Sequence, residues 1–142
     1  MTHTILVVEN NPPSVPGLVD ALTIAGLTVV TANGFTEALK VLAGLEPEVL
    51  ITGVRLGPYN GLHLLMRAMS IYPGTAAILI GQADPVVERE ARALGAAAYL
   101  TAGSADAIVS EALRILGRAR AVADVRALAA GPAAPPLLDV PV

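Results

Sequence analysis

The side chains able to do chemistry in this chain cluster where short apolar runs end. Glu9 and Asn10 follow Thr4 to Val8; Thr52, Gly53, Val54 and Arg55 follow Val49 to Ile51; Gly81 and Gln82 follow Thr75 to Ile80; Ala102 follows Ala97 to Thr101. Gathered at one edge of a sheet, these positions would supply one carboxylate beside an amide, two glycines and an alanine. No nucleophile stands beside a base. Cysteine is absent, which removes disulfides, thiolate metal sites and a thiol nucleophile together. His3 and His63 have no companions at metal-ligand spacing, so no metal site is expected. Neither G-x-x-x-x-G-K nor G-x-G-x-x-G follows any apolar run.

The remaining polar residues have simpler roles. Thr52 adjoins Gly53, but strand alternation sends its side chain to the opposite face. Asp84 before Pro85 reads as a helix N-cap with proline in the first turn. Glu9 reads as a solvated or hydrogen-bonded carboxylate, and His63 as an exposed residue in the first turn of a helix. Arg114, Arg118, Arg120 and Arg126 make a modest basic helix that reads as a solvated face. Gly53, Gly57, Gly61 and Gly81 would open space where backbone N–H groups could meet an anion, which leaves a small-ligand or anion sensor as an alternative.

Positioning these residues falls to alternating strands and helices. The 142 residues suffice for one domain with a real core. Hydrophobic residues make up 54% and mean hydropathy is +0.65, yet no run approaches the ~18 apolar residues of a membrane span. No basic leader with an apolar core opens the chain, so a cytoplasmic location and no membrane contact are expected. A net charge of −3 argues against non-specific nucleic-acid binding, which needs a basic face.

In order, the pattern predicts a strand over Thr4 to Val8, then a helix capped by Ser14 with Pro16 in its first turn, Leu18, Val19, Leu22 and Ala25 inside, and Gly26 as its stop. A strand over Leu27 to Thr31, an Asn33-Gly34 turn and a helix over Phe35 to Ala43 follow. The central segment is a buried strand over Val49 to Ile51, a Gly/Pro-rich loop, and a helix from Gly61 with Leu62, Leu65, Met66 and Met69 at helical spacing. Thr75 to Ile80 is the fourth strand, and Gly95 closes the helix that Asp84 opens. Ala97 to Thr101 is the fifth strand, and Ser104 caps a last helix with Ile108, Ala112, Ile115 and Ala119 on one stripe. Arg118 to Ala130 can extend that helix, with Val122, Val125 and Ala129 in phase. Five such alternations imply an α/β fold: a five-stranded parallel sheet, helices on both faces, and right-handed crossovers.

Three stretches carry a resemblance: V-V-E-N-N-P, P-E-V-L-I-T-G-V-R-L-G-P-Y-N-G-L and A-R-A-L-G-A-A-A-Y-L-T-A-G. In order and spacing the chain resembles a receiver domain of the two-component response regulator family over about residues 4–117. The resemblance implies a flavodoxin-like fold for a receiver-like domain at 1–117; residues 118–131 read as a helical extension ending at Gly131, and 132–142, with Pro132, Pro135, Pro136 and Pro141 and no period, as a disordered Pro/Ala-rich tail.

In that family, an aspartate ending the third strand accepts a phosphoryl group from a histidine kinase. An acidic pair after the first strand holds magnesium, a Ser or Thr ends the fourth strand, and a Lys ends the fifth. Here the phosphoacceptor position is Gly53, the second acid is Asn10 beside Glu9, the hydroxyl position is Gly81, and the lysine position is Ala102. The resemblance therefore implies a degenerate pseudo-receiver with a vestigial pocket at Glu9, Asn10, Gly53, Gly81 and Ala102, no cofactor and no enzymatic activity. Tyr99 occupies the place of the family's mobile aromatic, either packed in place or offered as an interaction surface. Expected partners are a histidine kinase, another regulator or a second copy; the other alternative is a receiver fragment of a transcriptional regulator, with Arg118 to Ala130 a linker helix toward an absent output domain.

Overall fold

The computed structural model describes residues 3–9, 15–101 and 104–130, the last segment with side chains only to residue 117. The elements run β1 (Thr4–Glu9), α1 (Leu18–Ile24), β2 (Thr28–Asn33), α2 (Phe35–Leu42), β3 (Val49–Gly53), β4 (Arg55–Leu56), β5 (Tyr59–Asn60), α3 (Gly61–Ile71), β6 (Ala76–Gly81), α4 (Pro85–Ala93), β7 (Ala98–Thr101) and α5 (Ala105–Ala130). Five strands form one parallel sheet in the order β2-β1-β3-β6-β7, so the apolar runs of β1, β3 and β6 lie in its interior. The register places Val8 beside Thr52 and Gly53 beside Ile80.

Strand alternation divides the core. Leu6, Val8, Leu50 and Leu79 face one side and pack with Leu42, Leu64, Leu65 and Ala91. Ile5, Val7, Val49, Ile51 and Ile78 face the other and pack with Leu22, Ile108 and Ala112. Helices cover both faces, which lets β3 be apolar at consecutive positions rather than at alternate ones. At the amino edge of the sheet, the Thr75 hydroxyl donates to the Pro47 carbonyl at 2.7 Å, and His3 pairs with Glu48 at 2.7 Å.

Several boundaries differ from the sequence reading. Helix α1 starts at Leu18, with Gly17 at its N-cap in the left-handed region (φ 80°) and no side-chain cap. Pro16 therefore precedes the helix instead of occupying its first turn, and Ser14 lies outside the described residues. Val19 is only half-buried and Ala25 is exposed. On α3 the buried residues are Leu62, Leu64, Leu65 and Ala68, while Met66 is 47% exposed. Met66 lies one position beyond the stripe that α3 buries, and its side chain falls on the outer face.

The glycine-rich loop after β3 is an antiparallel hairpin, β4 against β5, turned at Gly57 and Pro58 with Gly57 at φ 62°. Its Tyr59 ring stacks on Phe35 at 4.8 Å. Helix α5 is continuous over 26 residues. The stripe residue Ala119, the arginines 118, 120 and 126, and the phased residues Val122, Val125 and Ala129 have no described side chains. The tail at 132–142 lies outside the described residues. Among the described residues no helix is long and apolar enough to cross a membrane.

Candidate functional site

The carboxyl ends of β1, β3 and β6 bring Glu9, Gly53 and Gly81 to one edge of the sheet. Open parallel sheets bind ligands at this edge. Asn10 and Ala102, the other two expected pocket positions, lie outside the described residues. Thr52 is fully buried, and its hydroxyl donates to the Gly53 carbonyl at 3.1 Å, leaving it out of the cleft chemistry. Asp84 is the N-cap of α4, its Oδ1 accepting from Val86 N–H at 3.0 Å and Val87 N–H at 3.3 Å. Asn60 caps α3 in the same way, accepting from Leu62 N–H at 2.8 Å. His63 is exposed, its ring centroid 5.3 Å from that of Phe35.

Two glycines at this edge differ in what surrounds them. A β-carbon at Gly53 would make ordinary contacts, with the nearest atom, the Arg55 carbonyl oxygen, at 3.4 Å. At Gly81 it would run into the Tyr99 hydroxyl and lie 2.9 Å from Val54 Cγ2. Tyr99 thus fills the volume that a side chain at Gly81 would take. Its ring is 7% exposed, and its hydroxyl donates to the Gln82 carbonyl at 2.7 Å. Burial first, then the charges of Asp84 and Glu88, raise its pKa by disfavouring the phenolate. In this arrangement Tyr99 is a wall of the cleft and shows almost none of its ring to solvent.

Gly61 closes the edge from behind. Its N–H donates to the Val54 carbonyl at 2.6 Å, and a β-carbon there would overlap the Gly53 carbonyl oxygen and sit 3.1 Å from Val54 Cα. The first turn of α3 can approach the β3 end this closely only because residue 61 has no side chain. Neither composition nor spacing signals this contact in the sequence.

The space at the edge is unequal. Between Glu9, Ile51, Gly53 and Val15 it narrows to about 10 Å³, the scale of one water. On the Gly81 side it widens to a cleft of about 600 Å³ bordered by Val54, Arg55, Tyr59, Asp84, Val87 and Tyr99. The donors do not fit a magnesium ion, which takes anionic oxygens in octahedral array. Gly53 supplies none, Glu9 stands in the narrow part, and among the described residues no three His, Asp or Glu converge.

No protein-family model matches the chain. Solved receiver domains match over nearly their whole length. The response regulator receiver domain protein from Clostridium thermocellum superposes with a TM-score of 0.75 at 22% identity, over 84% of this chain and 98% of that one. The Francisella response regulator 1452 receiver domain gives 0.75 at 18%, over 83% and 99%. Chemotaxis response regulator CheY4 of Vibrio cholerae gives 0.70 at 20%, over 81% and 99%. The fold is that of a response regulator receiver domain. A curated relative, probable transcriptional regulatory protein TcrX of Mycobacterium tuberculosis, is 30% identical over 86 residues, 61% of this chain and 37% of TcrX. The chain thus spans little more than a third of that protein's length.

Proposed function

We propose that this protein is a receiver-like module of a two-component system that acts by protein contact without accepting a phosphoryl group. The observation that carries the reading is the pair of glycines at the strand ends. Gly53 has no carboxylate where the resemblance places the acceptor. Gly81 has no hydroxyl, and Tyr99 occupies the space where one would stand. Phosphoryl transfer needs a nucleophile, a divalent ion and donors to the equatorial oxygens. With Asn10 and Ala102 at the remaining positions, all of these are replaced at once, leaving a binding module rather than an enzyme.

A histidine kinase, another regulator or a second copy would meet a helical face whose shape does not depend on phosphate. The fold match and the TcrX relative support assignment to two-component signalling. A cytoplasmic location agrees with this role, and the division into a receiver-like domain at 1–117, a helical extension at 118–131 and a tail at 132–142 belongs to the same proposal. Incubation with acetyl phosphate and magnesium tests the reading: intact-protein mass spectrometry is expected to show no phosphoryl gain. A stoichiometric gain would overturn it.

A further inference from the structure

The cleft beside Gly81 is larger than a vestige requires. At about 600 Å³ it lies within the ~300–1,000 Å³ range of small-molecule sites. Its surface sorts by chemistry. Val54, Ile80 and Val87 give apolar walls, Gly53 adds no side chain, and Tyr99, leaning over Gly81, borders the space with the little of it that is exposed. An apolar ligand suits such a space better than a hydrated phosphate, which would lose its water against valines. The polar border holds Arg55 and Asp84. Asp84 already accepts two backbone N–H bonds as the α4 cap. Arg55 carries five guanidinium donors, enough to hold a carboxylate alongside the interaction it already makes.

The geometry points to a binding site for a mainly apolar organic acid, its hydrocarbon part against Val54, Ile80 and Val87 and its carboxylate on Arg55. The inference builds on the reading that the pocket takes no phosphoryl group, a reading that acetyl phosphate labelling tests by itself.

Amide NMR of the full chain, titrated separately with 1-naphthoate and 1-naphthylmethylammonium, tests the site. Saturable shifts of Gly53, Gly81 and Val87 with the acid alone are expected. Arg55→Gln should weaken the acid about tenfold, the loss of a charge-assisted hydrogen bond. Gly53→Leu, which fills the floor, should abolish binding while leaving the spectrum dispersed; if that variant unfolds, Val87→Trp serves the same purpose from α4. No saturation, shifts confined to other surfaces, or equal binding of the ammonium compound would overturn the assignment. Acetyl phosphate labelling can fail or succeed independently of every one of these outcomes.

Discussion

Gly53 and Gly81 end neighbouring strands of one sheet, and neither carries a side chain. They are not equivalent. Around Gly53 there is room for a β-carbon, whereas at Gly81 the room is taken by Tyr99. The first is an absence that a single substitution could reverse in shape. The second is filled from β7, so placing a side chain there means displacing a buried aromatic ring. One position thus leaves a gap, and at the other the packing is completed by a ring from a neighbouring strand.

Substitutions ranked by expected effect would sharpen or break this contrast. Gly61→Ala should be the most damaging, lowering unfolding free energy by about 3 kcal/mol in chemical denaturation. The new carbon meets backbone atoms of residues 53 and 54, which cannot rotate away. Gly81→Ala should cost about 2 kcal/mol, because the Tyr99 ring can swing out at the expense of its burial. A Gly81→Ala/Tyr99→Leu double variant should recover part of that loss, and strict additivity of the two single changes would show that the residues do not share the space.

Tyr99→Phe should cost about 1 kcal/mol through the lost hydrogen bond to Gln82. It should also remove a pH effect. The folded pKa of Tyr99 is raised above its ordinary 10.0, so the protein gains stability from the neutral phenol at neutral pH. That gain is lost as pH rises through the folded value. Denaturant midpoints should therefore converge between wild type and Tyr99→Phe in strong alkali, and parallel curves would contradict the burial. Gly53→Asp should be the mildest, within about 0.5 kcal/mol of wild type. It should still acquire no label from a histidine kinase, because Asn10, Gly81 and Ala102 are unchanged. Rapid labelling would mean that one carboxylate suffices.

Much of the fold could be read from residues whose local signals agree with the tertiary answer. Val49 to Ile51 between Pro47 and the glycines, Asp84 with Pro85, and Ser104 before the last helix were legible because each signal is local. Ser104 Oγ does accept from Ala107 N–H, at 3.3 Å. The start of α1 was not legible, since Ser14 and Pro16 satisfy the helix-start pattern while the chain turns instead through a left-handed Gly17. The β4–β5 hairpin was missed because two-residue strands are too short to show alternation, and its docking depends on a Phe35–Tyr59 stack between residues distant in sequence. Alignment by resemblance identified Gly53 and Gly81, but their difference depends on which side chain leans over each. Only the three-dimensional position of Tyr99 supplies that.

The all-parallel order β2-β1-β3-β6-β7 also has a kinetic consequence. Every strand pairing must wait for a crossover, and the contacts closing β1 against β3 join residues such as His3 and Glu48, 45 positions apart. During synthesis the apolar run of β1 therefore stays uncovered on one side until β3 has left the ribosome. Non-local pairing of this kind slows folding and prolongs exposure of aggregation-prone strands. The β1–β3 pair, once made, gives β6 and then β7 an edge on which to add.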